Sequence, residues 1–384
     1  MHICMIVTSY KEPGRTHTGA ELQADTQLRA LQALGHSITV IAKKKTKTSK
    51  FYETIDGIDI YRVWPTGFRS ILTAFLLWKK RKQFDIVHLH GQHVFTALAA
   101  WVCKLLAIPT VMKITISKQV FAPTSIDKIL PKKFIPFRKC INWLSRQSSA
   151  VITISQEIAA ELIDCHFTPE KIQHITNGVN MSKFQPISPD EQSALRRELG
   201  LPEDKILALF CSRLIHRKGF DLIINAWPEI WKNHQDLHLV MVGDGNAEAQ
   251  AHIQKLTQQT SPSAITVVGQ VANSAPYMQA ADIFLFPSRK EGLPNALIEA
   301  MSCGCACIAS DIGGNTDLIS PEKAGLLFAS GDYQDFSRHL NGLLAERGNI
   351  AELGLKAASY MKTHYDIKII AAKLEQLYQN LSSK

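Results

Sequence analysis

Residues 291–299 read EGLPNALIE, with a carboxylate at each end and a Gly-Leu-Pro turn and a helix start between them. Pro294 suits the first turn of a helix, where its missing N–H would have no partner in any case. The first amides of a helix lack intrahelical acceptors, and the aligned peptide dipoles add roughly half a positive charge there. The backbone of Gly292, Leu293, Pro294, Asn295 and Ala296 is therefore a cradle for an anion. Glu291 precedes the cradle and Glu299 lies more than a turn beyond it. Repulsion keeps both from binding phosphate, whereas a carboxylate's two acceptor oxygens suit hydroxyls, a sugar diol above all. The combination implies a ligand with a phosphate centre and a hydroxylated sugar on either side, a nucleotide sugar.

These groups need rigid support, and the hydrophobic pattern supplies it. Short apolar runs, HICMIVT, HSITVIA, GIDIYRV, FDIVHLH, IPTVMKITI, SAVITIS and KIQHIT, are mostly separated by segments of helical period such as AELQADTQLRALQAL, which stops at Gly35. Asn-Gly, Pro and Ser cluster at residues 177–190, after which the alternation restarts with ILALFCSRL, LHLVMVGDG, AITVVGQ, ADIFLFPS, CACIAS and AGLLF. Repeated strand and helix units imply parallel sheets covered on both faces. A chain of 384 residues makes about two domains of roughly 100–200 residues each. The expectation is an α/β protein with one parallel-sheet domain over residues 1–176, a linker over 177–190 and a second such domain over 191–365. The amphipathic segment within 366–384, IKIIAAKLEQLYQNL, is expected to pack back toward the first domain. Ligands of such sheets bind beyond the strands' carboxyl ends, and a cleft between two domains is the default site.

Residues 287–319, PSRKEGLPNALIEAMSCGCACIASDIGGNTDLI, resemble the signature of retaining glycosyltransferase family 4, the glycosyl transferases group 1, with its Glu-x7-Glu motif. The resemblance extends to SRLIHRKGFDLIINA at 212–226, VGDG at 242–245 and NGVNMSKF at 177–184, with a weaker echo in GHSITV at 35–40. It covers most of the second domain and the outline of the first, and the ordered combination is what makes it specific. It implies the GT-B fold, two Rossmann-like domains facing across a cleft, the first for the acceptor and the second for the nucleotide sugar. Carried over residue by residue, it implies that Glu299 holds the ribose hydroxyls and Glu291 contacts the donor sugar. Arg213 and Lys218 would neutralise the diphosphate as it departs, a form of charge stabilisation that is a major catalytic contribution. Uridine diphosphate is the first expectation for the donor and guanosine diphosphate the second.

Several positions leave alternatives open. Gly243, with Gly245, either meets the nucleotide or makes a strand-to-helix turn. Gly19, near the start of the first helix in KEPGRTHTGAE, is the first domain's candidate for the donor phosphate, although family members often have two adjacent glycines where this chain has Thr18-Gly19. Arg15 and His17 are acceptor-side candidates. Many members place a histidine at the end of the fifth strand, but TVMKITISK offers Thr115 or Ser117. His88, His90 and His93 follow the preceding strand, and His90 is the candidate substitute, set against the commoner structural role of a strand-end histidine. No Asp-x-Asp occurs, so the reading requires no metal and no other cofactor.

Residues 1–183 carry 25 Lys and Arg against 12 Asp and Glu, and the remainder 18 against 22, within an overall charge of +9. A basic first half calls for an anionic partner: nucleic acid, anionic lipid or a phosphorylated substrate. KKKTKTSK at 43–50, FRSILTAFLLWKKRKQF at 68–84, and the lysines and arginines of 118–146 around Phe121, Ile129, Phe134, Ile135 and Phe137 set apolar beside basic residues. That suits the face of an anionic membrane, with peripheral docking to reach a glycan, lipid-linked or lipopolysaccharide acceptor in cell-surface polysaccharide synthesis. No aromatic-rich ribonucleoprotein motif or helix-turn-helix pattern supports nucleic acid. A dehydrogenase would need Gly-x-Gly-x-x-Gly after the first strand, which is missing, and a nucleotide-sugar epimerase or hydrolase is the alternative enzyme. MHICMIVTSY has no basic leader, and the longest apolar stretch, Val94 to Met112, is interrupted by Lys104 and Pro109. It falls short of the roughly 20 residues of a membrane span, so a cytoplasmic protein is expected. The eight cysteines are expected to be free thiols. Cys303, Cys305 and Cys307 alternate as one face of a strand would, with burial weighed against a metal or redox role.

Overall fold

The computed structural model describes residues 1–13, 19–65, 68–115, 135–261, 264–319 and 324–383. The chain forms two units, Met1–Gly178 together with Ile367–Lys384, and Val179–Asp366. In unit 1 the strands are β1 (His2–Val7), β2 (Ser37–Lys43), β3 (Tyr52–Ile55), β4 (Ile58–Val63), β5 (Ile86–His90), β6 (Thr110–Ile114), β7 (Ala150–Thr153) and β8 (Ile172–His174). They form one sheet in the order β3-β4-β2-β1-β5-β6-β7-β8. Every pairing is parallel except that of β3 with β4. The helices are α1 (Gly19–Ala33), α2 (Arg69–Lys80), α3 (Val94–Leu105), α4 (Ile135–Ser145) and α5 (Gln156–Asp164).

The apolar runs read from the sequence fall on β1, β2 and β4 to β8. The antiparallel edge strand β3 was not among them. Its turn is the two-residue Asp56-Gly57, with φ of 51° and 77°, the positive-φ pair that two-residue hairpins favour. The Asp-Gly signal was present in the sequence, inside an otherwise alternating parallel pattern.

Unit 2 begins with α6 (Pro189–Glu198) and continues β9 (Ile206–Cys211), α7 (Phe220–Asn233), β10 (Leu237–Val242), α8 (Ala247–Gln259), β11 (Ile265–Gly269), α9 (Ala275–Ala280) and β12 (Ile283–Phe286). Then follow α10 (Asn295–Ser302), β13 (Ala306–Ser310), α11 (Gly313–Thr316), β14 (Leu326–Phe328), α12 (Tyr333–Ala345) and α13 (Gly348–His364). The parallel sheet runs β11-β10-β9-β12-β13-β14. Phe210, Trp227, Leu239, Met241, Leu285, Ile308 and Phe336 are among the residues of its core. Each fully buried side chain of this kind contributes about 1.5–3 kcal/mol.

The last helix, α14 (Ile367–Ser382), belongs to unit 1. Its Ile367, Ile370, Leu374 and Tyr378 join Ala24, Leu28 and Leu31 of α1 over the β1–β2 face. Tyr378 is fully buried, and its hydroxyl shares a hydrogen bond of 2.5 Å with Nδ1 of His88 on β5. Tyr378→Phe would leave that ring nitrogen buried without a partner, at a cost of about 1–3 kcal/mol. The expected result is a lower denaturant midpoint for unit 1, followed by circular dichroism, whereas an unchanged midpoint would show that the hydroxyl contributes nothing to the docking of α14.

Candidate functional site

The strand order of unit 2 reverses between β9 and β12, and ligands of doubly wound sheets bind at that crevice. Two loops leave the carboxyl ends there. After β9 the chain passes through Arg213 to a 3-10 turn at His216–Lys218 and enters α7 by way of Gly219. After β12, residues 287–294 lead into α10. Gly219 has a φ of 73°, and a Cβ there would collide with the Pro287 carbonyl, so only glycine lets the two loops touch.

Arg289 then ties the loops together. Its guanidinium donates to both carboxylate oxygens of Asp221 at 2.7 Å and to the His216 carbonyl at 2.6 Å. The Arg289 amide donates to the Arg217 carbonyl at 2.9 Å, and the Arg217 side chain donates to the Lys290 carbonyl at 2.7 Å. Paired bonds of this kind add geometric specificity as well as energy.

Glu291 lies inside this arrangement. Its Oε1 pairs with the Lys218 ammonium, accepts from Ser288 Oγ at 2.7 Å and stands 3.6 Å from the Arg217 guanidinium. Burial pulls the Lys218 pKa below its ordinary value; Glu291 opposes that, and Arg217 and Arg213 add to it. Arg213 itself is exposed. The sequence thus brought Glu291, Lys218 and Arg213 to one place, but Arg217 and Ser288 were missed. Both lie inside stretches already singled out, HRKG and PSRKEG.

Helix α10 begins at Asn295, one residue later than expected, with Pro294 as its N-cap at φ −79° and ψ 111°. The extended ψ places Pro294 outside the helix, while its carbonyl accepts from the Ile298 amide at 3.2 Å. Gly292, Leu293 and Pro294 are buried. Glu299 is half-buried on α10, and burial raises its pKa to about 7, against a smaller opposing effect of Lys183. The ionised, acceptor-only carboxylate expected from the sequence is therefore corrected: near neutrality Glu299 is partly protonated and can donate as well as accept. Lys183 was a second residue missed, although it sits in NGVNMSKF.

Gly243 has a φ of 139°, and a Cβ on it would collide with the Ser212 carbonyl. Leu214 N donates to the Asp244 carbonyl at 2.8 Å. The VGDG turn thus presses on the segment that carries Arg213. Gly19, the exposed first residue of α1, and His90, the last of β5, both belong to unit 1. His88 bonds Tyr378 and His93 caps α3, so His90 alone of the three has both ring nitrogens buried without a partner among the described residues. Thr115 is half-buried after β6; Arg15, His17, Thr18 and Ser117 lie outside the described residues.

None of the eight cysteines forms a disulfide. Cys303 caps α10 and Cys305 precedes β13, so only Cys307 is on the strand, and the single-face reading is corrected. The three are buried, and among the described residues no cluster of His, Cys, Asp or Glu could hold a metal ion.

The basic stretches part company. KKKTKTSK is tied into unit 1: Thr46 and Ser49 donate to the buried Glu12, Lys45 pairs with Glu21, and the Lys43 ammonium lies 4.5 Å from the centre of the Phe95 ring. By contrast Phe68, Ile71, Phe75 and Trp78 are 50–62% exposed, at helical spacing along α2, and continue into Lys79, Lys80, Arg81 and Lys82. Trp101 and Leu105 on α3 are also exposed. Phe121, Ile129 and Phe134 lie outside the described residues, as do the side chains of Ile135 and Phe137. Among the described residues no helix is long and apolar enough to cross a membrane.

Comparison with known proteins gives the family. The family "Glycosyl transferases group 1" matches residues 191–362 and "Glycosyltransferase Family 4" matches residues 17–183. The putative teichuronic acid biosynthesis glycosyltransferase TuaC of Bacillus subtilis is 28% identical over 352 residues, 84% of each chain. A UDP-Gal:alpha-D-GlcNAc-diphosphoundecaprenol alpha-1,3-galactosyltransferase of Escherichia coli is 27% identical over 70% of this chain and 68% of its own. Among solved structures, Anabaena Alr3699/HepE in complex with UDP and glucose superposes with a TM-score of 0.76 at 20% identity, over 99% of this chain and 100% of that one. WaaG, a glycosyltransferase involved in lipopolysaccharide biosynthesis, superposes with a TM-score of 0.73 at 15% identity over all of both chains. The fold is GT-B, and the chain belongs to the group 1, family 4 glycosyltransferases, enzymes of the hexosyltransferase type.

The raised pKa of Glu299 has a consequence for stability. A carboxyl whose folded value, about 7, lies above its unfolded value of about 4.3 favours folding at low pH. That contribution is fully present below the unfolded value and is lost as pH rises through 7. Urea midpoints of unit 2 for the wild type, relative to Glu299→Gln, should therefore fall steadily between pH 4.5 and 7.5, on the order of a unit around each pKa. A difference independent of pH would mean that the carboxyl titrates normally.

Proposed function

We propose that this glycosyltransferase moves a hexosyl group from a nucleoside diphosphate sugar, uridine diphosphate first and guanosine diphosphate second, to a glycan or lipid-linked acceptor. The transfer retains anomeric configuration and needs no metal, and it serves polysaccharide or glycolipid synthesis. The observation that carries this reading is the Lys218–Glu291 pair, with Arg213 and Arg217 around it, at the head of α10. The names of relatives support both halves of it: one uses UDP-galactose and a diphosphoundecaprenol acceptor, and another, from Corynebacterium glutamicum, is GDP-mannose-dependent and acts on a phosphatidylinositol mannoside. The glycosyltransferase assignment sets aside the epimerase, hydrolase and nucleic-acid alternatives.

In the proposed reaction the bond from the sugar's anomeric carbon to the diphosphate breaks, and a bond to an acceptor hydroxyl oxygen forms. The diphosphate leaves with additional negative charge, which Arg213, Lys218 and the first amides of α10 offset. Glu291 holds donor-sugar hydroxyls and is itself kept in place by Ser288 and Lys218. Glu299 takes the ribose hydroxyls, and its partial protonation lets it match a diol as donor and acceptor. Gly243 keeps the Arg213 segment close, and His90 serves the acceptor side. The exposed stripe of α2, with its basic end, docks on an anionic membrane surface.

Calorimetric titration with a panel of nucleotide sugars and free nucleotides tests the donor site. Glu299→Ala should weaken nucleotide binding about tenfold or more with or without the sugar, as the loss of hydrogen bonds worth about 1.5–3 kcal/mol implies. Glu291→Ala should matter mainly when the sugar is attached. Equal losses for both ligands in both variants would refute this division of labour.

Docking is tested by co-sedimentation with phosphatidylglycerol-rich liposomes at low salt. The wild type should pellet, and Phe75→Ser with Trp78→Ser should stay in the supernatant. A wild-type protein that remains in solution would reject membrane docking.

A further inference from the structure

Unit 1 repeats the reversal seen in unit 2. Its order β4-β2-β1-β5-β6-β7 turns between β1 and β5, and the crevice rule points to the carboxyl ends of the strands there. His90 is the last residue of β5 and pairs in register with Lys113 of β6. His90 is 6% exposed and Lys113 is fully buried. Neither His90 Nδ1 or Nε2 nor the Lys113 ammonium has a hydrogen-bond partner among the described residues. The groups that act electrostatically on His90 are Lys113, His88 and His93, all potential cations, and among the described residues no carboxylate acts on either side chain. Tyr378, the polar group brought by α14, is occupied with His88, and His93 is occupied in capping α3.

Such a pair is costly in a finished interior. A buried ammonium without a partner is penalised by several kcal/mol, and an apolar residue of the same size would serve packing better. Burial lowers the Lys113 pKa to about 7 and that of His90 well below its ordinary value, so above pH 7 both are largely uncharged without a counter-ion. An anion held by both groups would supply the partner that neither has among the described residues.

We propose that His90 and Lys113 form a binding subsite for an anionic group, a phosphate or a carboxylate, on the acceptor substrate. The subsite rests on the reading that unit 1 takes the acceptor, and it narrows the acceptor to one carrying negative charge close to the accepting hydroxyl. An arriving anion stabilises the ammonium, so Lys113 takes up a proton on binding above pH 7. The charge then becomes a buried, paired one, and its cost is offset by the ligand.

The test is calorimetry on the full chain at pH 8 in two buffers of different ionisation enthalpy. The probes are inorganic pyrophosphate and methyl glucuronide, each added to protein already saturated with uridine diphosphate. The wild type should bind one of them, with an apparent heat that depends on the buffer in the sense of proton uptake. Pyrophosphate binding assigns a phosphate-bearing acceptor and glucuronide binding a uronate. Lys113→Met should weaken that binding at least tenfold and abolish the buffer dependence, while its melting temperature stays level or rises. His90→Gln gives a second reading of the same loss if the first variant folds poorly.

Equal affinity in the wild type and both variants, or no binding of either probe to the wild type, would overturn the proposal. The nucleotide titration on the same samples keeps the two readings apart. Loss of nucleotide binding with Lys113-dependent anion binding intact would fault the donor assignment alone, and the reverse would fault the subsite alone.

Discussion

The guanidinium of Arg289, seated on both oxygens of Asp221, sets the spacing on which the rest of the second unit's chemistry depends. It fixes the loop after β12 against the loop after β9, and only then do Lys218 and Arg217 come within reach of Glu291. Three cations in one small region would otherwise repel one another and lose their solvation. Glu291 offsets part of that repulsion, and Ser288 holds it in register. A ligand bearing a diphosphate therefore meets positive charge that is already oriented, and little reorganisation remains to be done when charge develops. Gly219 is the condition for all of it, because a side chain there would push the Pro287 loop away.

The two units share one winding, and they differ in how they treat buried charge. In unit 2 the largely buried Lys218 has its own carboxylate. In unit 1 the buried Arg62 is likewise answered, by Glu53 and Glu12, and it also donates to the Tyr10 and Lys11 carbonyls at 3.2 and 3.0 Å. Lys113 and His90, without a hydrogen-bond partner among the described residues, depart from this pattern. Buried polar groups are nearly always partnered, which is why an exception at a strand end carries more weight than one elsewhere.

The scaffold was legible because parallel strands buried on both faces read as unbroken apolar runs, and β1, β2, β4 to β7 and β9 to β13 coincide with the runs in the sequence. What periodicity could not convey was the antiparallel edge. Tyr52 to Ile55 has the half-exposed character of a strand on the rim of a sheet, so only the Asp56-Gly57 turn announced it. The candidate site was legible as residue types near α10, since Glu291, Lys218 and Arg213, which the family resemblance implied, come together. Its wiring was not. Arg289 and Asp221 are 68 residues apart, and nothing local in either stretch says that one will grip the other. Glu299 shows the same limit: its residue type was plain, but the burial that keeps it partly protonated depends on packing. KKKTKTSK shows the opposite limit, because a run of lysines conceals Thr46 and Ser49, which fasten the loop to Glu12.

The C-terminal helix gives the strongest case of function resting on distant sequence. Its apolar stripe completes the core over β1 and β2, and its Tyr378 reaches a histidine 290 residues earlier in the chain. That contact occupies His88 and so separates it from His90, two residues further along the same strand and on the same face. Without Tyr378 both rings would be unpartnered, and they would compete for any polar group that entered. With it, one histidine is committed to structure and the other remains available at the strand end. The chain's last helix thus decides which of two similar side chains is left without a partner, and it leaves His90, the histidine singled out in the sequence.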